Sequence, residues 1–353
     1  MIQVRLAAPG VDLEFQAASG ITALFGAAGA GKTFILDAIA GFAAPAAGRI
    51  ILDDRILFDG ASRVNLPPRR RNCGYVARHW ALFPHLSLRD NLLFPLSHLP
   101  RLDRHRRVNE MLDRFALRDA APQRPPQLSS AERLRAAFAR ALIAEPKILL
   151  ADEPAAGLDI ASRAAWLSAL RMVRDETTLP LILAARDLET CFELAPTMLL
   201  LNAGRILQSG PPRNVFDRPA TVEAARLLGI RNLFPAEIVA LDPSRNTSRL
   251  HLDGFALSGP YFPGRLLGDR VWLCVEPGQL HAVPQNGAKP SENQVAARLE
   301  RASEIPRAVR LEFAGGIVAE VARREFESHK NNAENREWLV EFPPLALRVL
   351  GCP

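Results

Sequence analysis

Eight consecutive residues, Gly26-Ala27-Ala28-Gly29-Ala30-Gly31-Lys32-Thr33, constrain this 353-residue chain more than any other feature. They follow a short apolar run, Ile21–Phe25, and lead into the helical pattern Lys32–Ala40. The spacing G-x-x-x-x-G-K-[ST] between a strand and a helix describes a loop that wraps an anion. Its small residues let main-chain N–H groups point inward, and the helix adds the positive end of its dipole. Lys32 is then placed for β- and γ-phosphate oxygens, and the Thr33 hydroxyl for Mg²⁺. A chance glycine-rich turn before a helix is the alternative, and the strand-loop-helix context weighs against it.

A second element has matching chemistry. Lys147-Ile148-Leu149-Leu150-Ala151-Asp152-Glu153-Pro154 is an apolar strand ending in two acids. Open α/β sheets carry their ligand chemistry at the carboxyl ends of their strands. Asp152 is the expected Mg²⁺ partner, and Glu153 the group that positions and polarises an attacking water. Taken alone, the pair also fits an acidic helix start before proline.

Up to about residue 230 strands and helices alternate. Strands are expected at Ile21–Phe25, Ile50–Phe58, Tyr75–Ala77, Ile148–Ala151, Leu181–Ala185 and Met198–Asn202. Helices are expected at Lys32–Ala40, Asp103–Phe115, Ala131–Ala144 and Ala161–Glu176. That order predicts a mainly parallel sheet covered by helices. From Asn232 the chain breaks into short β-rich segments separated by Pro, Gly and Asn, with turns marked at Gly315–Gly316 and Asn331–Asn332. Residues 231–353 therefore read as a smaller β-rich, barrel-like domain, with two modules split near 283–292 or a single sandwich as the options.

Composition narrows the class. Hydrophobic residues at 48% and charged residues at 23% are those of a globular chain. No apolar run approaches the roughly 20 residues that span a bilayer, and no apolar leader opens the sequence. Cys73, Cys191, Cys274 and Cys352 lack disulfide or metal spacing, so a reduced, cytoplasmic setting is expected. The net charge of +6 comes almost wholly from arginine, since only Lys32, Lys147, Lys289 and Lys330 are lysine. A lysine where arginine is the rule fits a site that needs a compact ammonium. The run Arg69-Arg70-Arg71 reads as a solvated turn, without the interleaved aromatics of a nucleic-acid platform. His79, His85, His98 and His105 have no metal-like spacing and read as surface or interface residues.

With both motifs in place, the first 230 residues resemble the ATP-binding subunit of an ABC transporter, a P-loop NTPase fold. Gly74–Leu92 is similar to the glutamine-loop region, Gln127–Pro154 to the signature helix running into its acidic strand, and Ala155–Asp159 to the D-loop. GITALFGAAGAGKT, IAGFAAPAAGRIILDDRILFD and LPPRRRNCGYV are similar to molybdate-importer subunits, whose C-terminal β domain can bind oxyanions. The resemblance implies ATP contacts at Gly26, Ala27, Ala28, Gly29, Ala30, Gly31, Lys32, Thr33 and Phe34, and Mg²⁺ at Thr33 and Asp152. It also implies a catalytic Glu153 and a head-to-tail dimer in which Ser129, Ser130, Ala131 and Glu132 face the other subunit's nucleotide. Asp159 then contacts the partner subunit. A membrane permease is the second expected partner, received by a groove over Trp80–Pro95 (Phe83, Leu86, Leu88, Leu92 and Phe94), and no nucleic acid is expected. The subunit is thus expected at the inner face of the cell membrane. Phe15 is the candidate for stacking on adenine, or else a core phenylalanine. Ser291 is the candidate for an oxyanion pocket in the tail.

Four residues in three motifs depart from that family's pattern, all at the γ-phosphate. Arg78 stands at the glutamine position, where a guanidinium cannot ligate Mg²⁺. Ser130 and Ala131 replace the signature glycines, adding Cβ atoms where a phosphate must come close. Arg186 replaces the switch histidine and, as a permanent cation, can hold a phosphate oxygen but not accept a proton. Two readings follow: an ATPase retuned by its arginines, importing molybdate or else sulfate or another small anion, or a subunit that binds ATP, hydrolyses it poorly and serves as a regulatory scaffold.

Overall fold

The computed structural model describes residues 1–156, 158–176, 178–285, 287–306, 308–329 and 337–351. It divides into two compact units, Met1–Arg218 and Pro219–Pro353. The division falls before the expected 230 because the short helix Val222–Leu227 belongs with the tail, where Ala225 packs with Ile230, Cys274 and Leu350. Gly157, the Asn331–Asn332 turn, Lys330 and Cys352 lie outside the described residues.

The first unit contains strands β1 (Ile2–Ala8), β2 (Val11–Ala17), β3 (Gly20–Phe25), β4 (Ala47–Leu52), β5 (Arg55–Asp59), β6 (Val64–Asn65), β7 (Cys73–Val76), β8 (Ile148–Asp152), β9 (Pro180–Ala185), β10 (Thr197–Asn202) and β11 (Arg205–Gly210). Its helices are α1 (Lys32–Ala40), α2 (Leu88–Leu93), α3 (Arg101–Arg114), α4 (Ser130–Leu142), α5 (Ile160–Glu176), α6 (Leu188–Leu194) and α7 (Pro212–Asp217). The expected parallel sheet is present in the order β11-β10-β3-β9-β8-β7, with only β11 antiparallel. β8 and β9 are buried along their whole length, as strands covered on both faces must be.

A second, antiparallel sheet, β2-β1-β4-β5-β6, was not foreseen from the sequence. Its signal is the strict alternation in Val11–Ala17, where Val11, Leu13, Phe15 and Ala17 face the core and the residues between them face out. The expected single strand Ile50–Phe58 is instead a hairpin. Asp53 and Asp54 adopt φ of +45° and +64°, the left-handed pair that a two-residue turn with the right twist demands. Helix α1 shares one core with both sheets through Ile35, Leu36, Ala38 and Ile39.

The second unit begins with α8 (Val222–Leu227). Strands β12 (Asn232–Asp242), β13 (Thr247–Leu252), β14 (Phe255–Pro260), β15 (Arg270–Val275), β16 (His281–Pro284), β17 (Gln294–Ile305), β18 (Ala308–Phe313), β19 (Val318–Val321), β20 (Glu337–Glu341) and β21 (Arg348–Gly351) follow. They form two five-stranded sheets, β14-β13-β12-β15-β21 and β16-β20-β17-β18-β19. A cut near 283–292 does not separate two modules, because β21 returns to the first sheet and one hydrophobic cluster takes residues from both. Two buried asparagines tie the sheets together. Asn232 donates to Val318 O and accepts from Val318 N, each at 2.8 Å, and Asn293 makes the same exchange with Ser258 at 2.7 and 2.6 Å. Each amide copies the donor–acceptor pair of a peptide group, so no buried polar atom in the exchange goes unpaired.

The arginine run near residue 70 also differs from expectation. Arg69 and Arg70 are exposed, but Arg71 is only 1% exposed. Its guanidinium donates to Leu66 O (2.7 Å), Ala38 O (2.6 Å), Ile39 O (3.0 Å) and Asn65 Oδ1 (2.6 Å). A cation on the last carbonyls of α1 meets both their hydrogen-bonding need and the helix dipole. Gly41 makes room for it, since a Cβ there would lie 2.6 Å from Arg71 Nε. Replacing Arg71 by Leu is expected to destabilise the chain by about 3 kcal/mol in urea unfolding, with Arg70→Leu within about 0.5 kcal/mol of wild type.

Candidate functional site

The parallel sheet gathers the site at one edge. β3 runs into the Gly26–Thr33 loop, β8 into Glu153, β9 into Arg186 and, two residues on, β7 into Arg78. Phe25 pairs with Ala185, Asp152 with Ala184, and Val76 with Ala151, so four strands deliver their next residues to neighbouring positions. Local sequence accounts for the loop's shape. At Gly26 a Cβ would lie 2.4 Å from Leu201 O, and Gly31 sits at φ +100° as the residue before α1. No side chain caps α1, which leaves its first-turn amides to an anion from outside.

Lys32 is 4% exposed, with its ammonium on Gly26 O (2.6 Å) and Ala27 O (3.0 Å) and 3.4 Å from Glu153 Oε1. The Thr33 hydroxyl donates to Asp152, lying 3.0 and 3.2 Å from its two carboxylate oxygens. Burial pushes the Asp152 carboxyl above its ordinary range; the Thr33 hydrogen bond opposes this and the neighbouring Glu153 charge adds to it. A hydroxyl and a carboxylate oxygen this close form the hard, all-oxygen donor pair that Mg²⁺ takes when phosphates and water complete its shell. The residues present therefore fit that ion.

Glu153 is the centre of charge. It is 8% exposed and adopts φ +43°, a strained conformation for a residue with a Cβ. Arg78 Nη2 lies 2.7 Å and Arg186 Nε 2.6 Å from the same oxygen, Oε2. Neither N–H is aligned on that oxygen, so the contacts are ionic rather than hydrogen-bonded. Both arginines, Glu153 and Ala28, Gly29, Ala30, Gly31, Lys32, Thr33 and Phe34 line one cavity of about 240 Å³. Arg78 and Arg186, the residues expected from the sequence at the glutamine and switch positions, thus meet on the catalytic candidate itself.

Sequence reasoning missed what holds Arg78 in place. Trp80 and Ala81 adopt φ of +61° and +48°, and Trp80 Nε1 donates to Pro154 O at 3.0 Å. From α4, the Arg133 guanidinium lies 5.2 Å above the Trp80 ring, and Arg140 donates to Ala81 O (2.8 Å) and Trp80 O (3.3 Å). The signal was present: a tryptophan two residues beyond Arg78, and arginines seven apart on one helix face. Arg163 was also missed. It pairs with Asp187 and donates to Thr190 Oγ1 at 2.9 Å, bracing the turn after Arg186. Burial acts to raise the Asp187 carboxyl, but its hydrogen bonds with Thr190 and Arg163 outweigh that, and the group lies below its ordinary range.

Other expected residues take structural positions in the single chain. Ser129 caps α4: its hydroxyl accepts from Glu132 N at 3.2 Å while Glu132 Oε2 accepts from Ser129 N at 2.8 Å. Ser130 and Ala131 form the first turn of that helix and are half-buried. Asp159 accepts from Ser162 N at 2.7 Å at the start of α5. Phe15 is 7% exposed within the core and offers no face for adenine to stack on. In the expected groove, Leu88 and Leu92 are fully buried, whereas Phe83 and Leu86 are half-buried and Phe94 is exposed, with the Phe83 and Phe94 rings 4.7 Å apart. Ser291 is exposed, and its N–H donates to Gln294 Oε1.

The ABC transporter family profile matches residues 10–156, from the first hairpin to just beyond Glu153. The molybdenum import ATP-binding protein ModC of Rhizobium etli is 34% identical over 272 residues, 76% of each chain. The chain belongs to the ABC transporter ATP-binding family. The ModC of Rhodospirillum rubrum is 38% identical over 209 residues, covering 59% of this chain and 56% of the relative's own length. Among solved structures, the dimeric post-hydrolysis ATP-binding cassette MJ0796, bound to ADP and Pi, superposes with a TM-score of 0.52 at 21% identity. It covers 60% of this chain and 99% of that one, and supports the fold alone. Among the described residues no helix is long and apolar enough to cross a membrane.

The Ser129→Ala variant is expected to lose about 1 kcal/mol of stability in urea unfolding of the isolated chain, the usual cost of a helix cap.

Proposed function

We propose that this chain is the ATP-binding subunit of an importer for a small oxyanion, molybdate first, and that it hydrolyses ATP to drive a permease. The observation that carries this reading is the contact between Thr33 and Asp152 beside the uncapped start of α1. It joins the two halves of a nucleotide site that lie 119 residues apart. The amides of Gly29 to Thr33 and the Lys32 ammonium neutralise the triphosphate. Thr33 and Asp152 would hold Mg²⁺, which would supply neutralisation of the phosphate charge. Glu153, one residue beyond Asp152, accepts a hydrogen bond from the attacking water and orients it. Ser129 and Asp159 act across the interface with a second ATP-binding subunit, and Phe83 with Phe94 meets the permease, which keeps the subunit at the membrane. The molybdate assignment rests on the ModC relatives and on the local wording of the phosphate-loop segment.

One observation favours a second reading. With both guanidinium groups on Glu153 Oε2, its carboxylate is not free to take a proton from water. A subunit in that state binds ATP and acts as a scaffold. Steady-state phosphate release by the chain with its permease separates the two. An ATPase loses about 100-fold or more of its rate on Glu153→Gln. A wild type no faster than that variant leaves the scaffold reading standing. Uptake of labelled molybdate, with tungstate and sulfate as competitors, tests the cargo.

A further inference from the structure

Three cations, Lys32, Arg78 and Arg186, converge on the single carboxylate of Glu153 inside the phosphate-loop cavity. The carboxylate is 8% exposed, whereas the Arg78 and Arg186 side chains are 38% and 49% exposed on the cavity side of the sheet edge. A buried carboxylate with this many cations around it acts as an internal counter-ion, and the guanidinium groups remain free to change partner. A terminal phosphate offers them more charge and more acceptor oxygens than one carboxylate does.

We propose that Arg78 and Arg186 are the specificity-determining residues that distinguish a nucleoside triphosphate from a diphosphate, with Glu153 holding the place of the terminal phosphate while the site is empty. The proposal rests on the phosphate-site reading above. The arginines leave Glu153 for the γ-phosphate when a triphosphate enters, and that exchange frees the Glu153 carboxylate for water. A diphosphate lacks the competing group, so Glu153 stays clamped. The departures from the family pattern thus make the water-positioning group available only when there is a γ-phosphate to transfer.

Equilibrium binding of ATP and ADP to the full chain, read by displacement of a fluorescent nucleotide with Mg²⁺ chelated so that no turnover occurs, tests this. Wild type is expected to prefer ATP by about tenfold or more. In Arg78→Gln/Arg186→Gln the ATP affinity is expected to fall by about tenfold or more while ADP changes by less than about threefold, so that the preference collapses. ADP binding also reports that the variant is folded. Arg78→Lys/Arg186→Lys, which keeps the charge, is expected to retain part of the preference. Glu153→Gln is expected to tighten ATP by about threefold or more in the wild-type background and by clearly less in the double-glutamine background, where only Lys32 remains on the carboxylate. An unchanged ATP-to-ADP ratio in the double-glutamine variant, or an equal Glu153→Gln effect in both backgrounds, overturns the inference and leaves the phosphate site standing. A wild type that binds neither nucleotide, or Lys32→Ala that binds both as wild type does, overturns the phosphate-site reading and the inference together.

Discussion

The distances in the site are set by strand register. β7, β8, β9 and β3 lie side by side and parallel, and their last residues pair almost level: Val76 with Ala151, Asp152 with Ala184, and Ala185 with Phe25. A slip of one residue in any of these strands would turn its side chains to the opposite face and move the following residue by about 3.3 Å. The continuous burial of β8 and β9 does not by itself choose a register, because both faces are apolar. The fixed points are polar and lie at the edge: Thr33 on Asp152, and Lys32, Arg78 and Arg186 on Glu153. The same contacts that assemble the chemistry thus also hold the sheet edge in line.

The chemistry within that edge is a balance of charge. One buried carboxylate, Glu153, faces Lys32, Arg78 and Arg186 at the phosphate-loop cavity while Asp152 sits beside it on Thr33, so these five groups carry a formal charge of +1. Burial raises the carboxyl of Asp152, which makes its ionised form dependent on positive charge nearby. Glu153 meets its own desolvation cost through direct ionic contacts. An anion that enters this pocket therefore acts less by filling an empty hole than by redistributing existing partners.

How much was legible in the sequence depended on the range of the interactions. The phosphate loop, α1 and the acidic strand were readable because each is coded within a dozen residues. Arg78 and Arg186 were visible as residue identities, but their meeting on one oxygen of Glu153 depends on strands far apart in sequence. The hairpin at Asp53–Asp54 was missed because the apolar run on either side of it overrode a two-residue turn signal. Arg71 was misread for a related reason: a run of three arginines reads as solvated unless the open carbonyls of α1 and the space above Gly41 are known. In the tail, most strands were evident from β-rich segments. Asn232 and Asn293 were invisible as cross-links because asparagine near a turn has an ordinary local explanation.

The loop from Arg78 to Ala81 touches two places at once. At one end it offers a guanidinium to the nucleotide pocket, and at the other it is gripped by Arg133 and Arg140 of the helix that begins at Ser129. Its left-handed residues and the indole hydrogen bond to Pro154 make it a stiff lever rather than a slack tether. The guanidinium on Glu153 and the helix that begins at Ser129 are thereby tied to one four-residue segment.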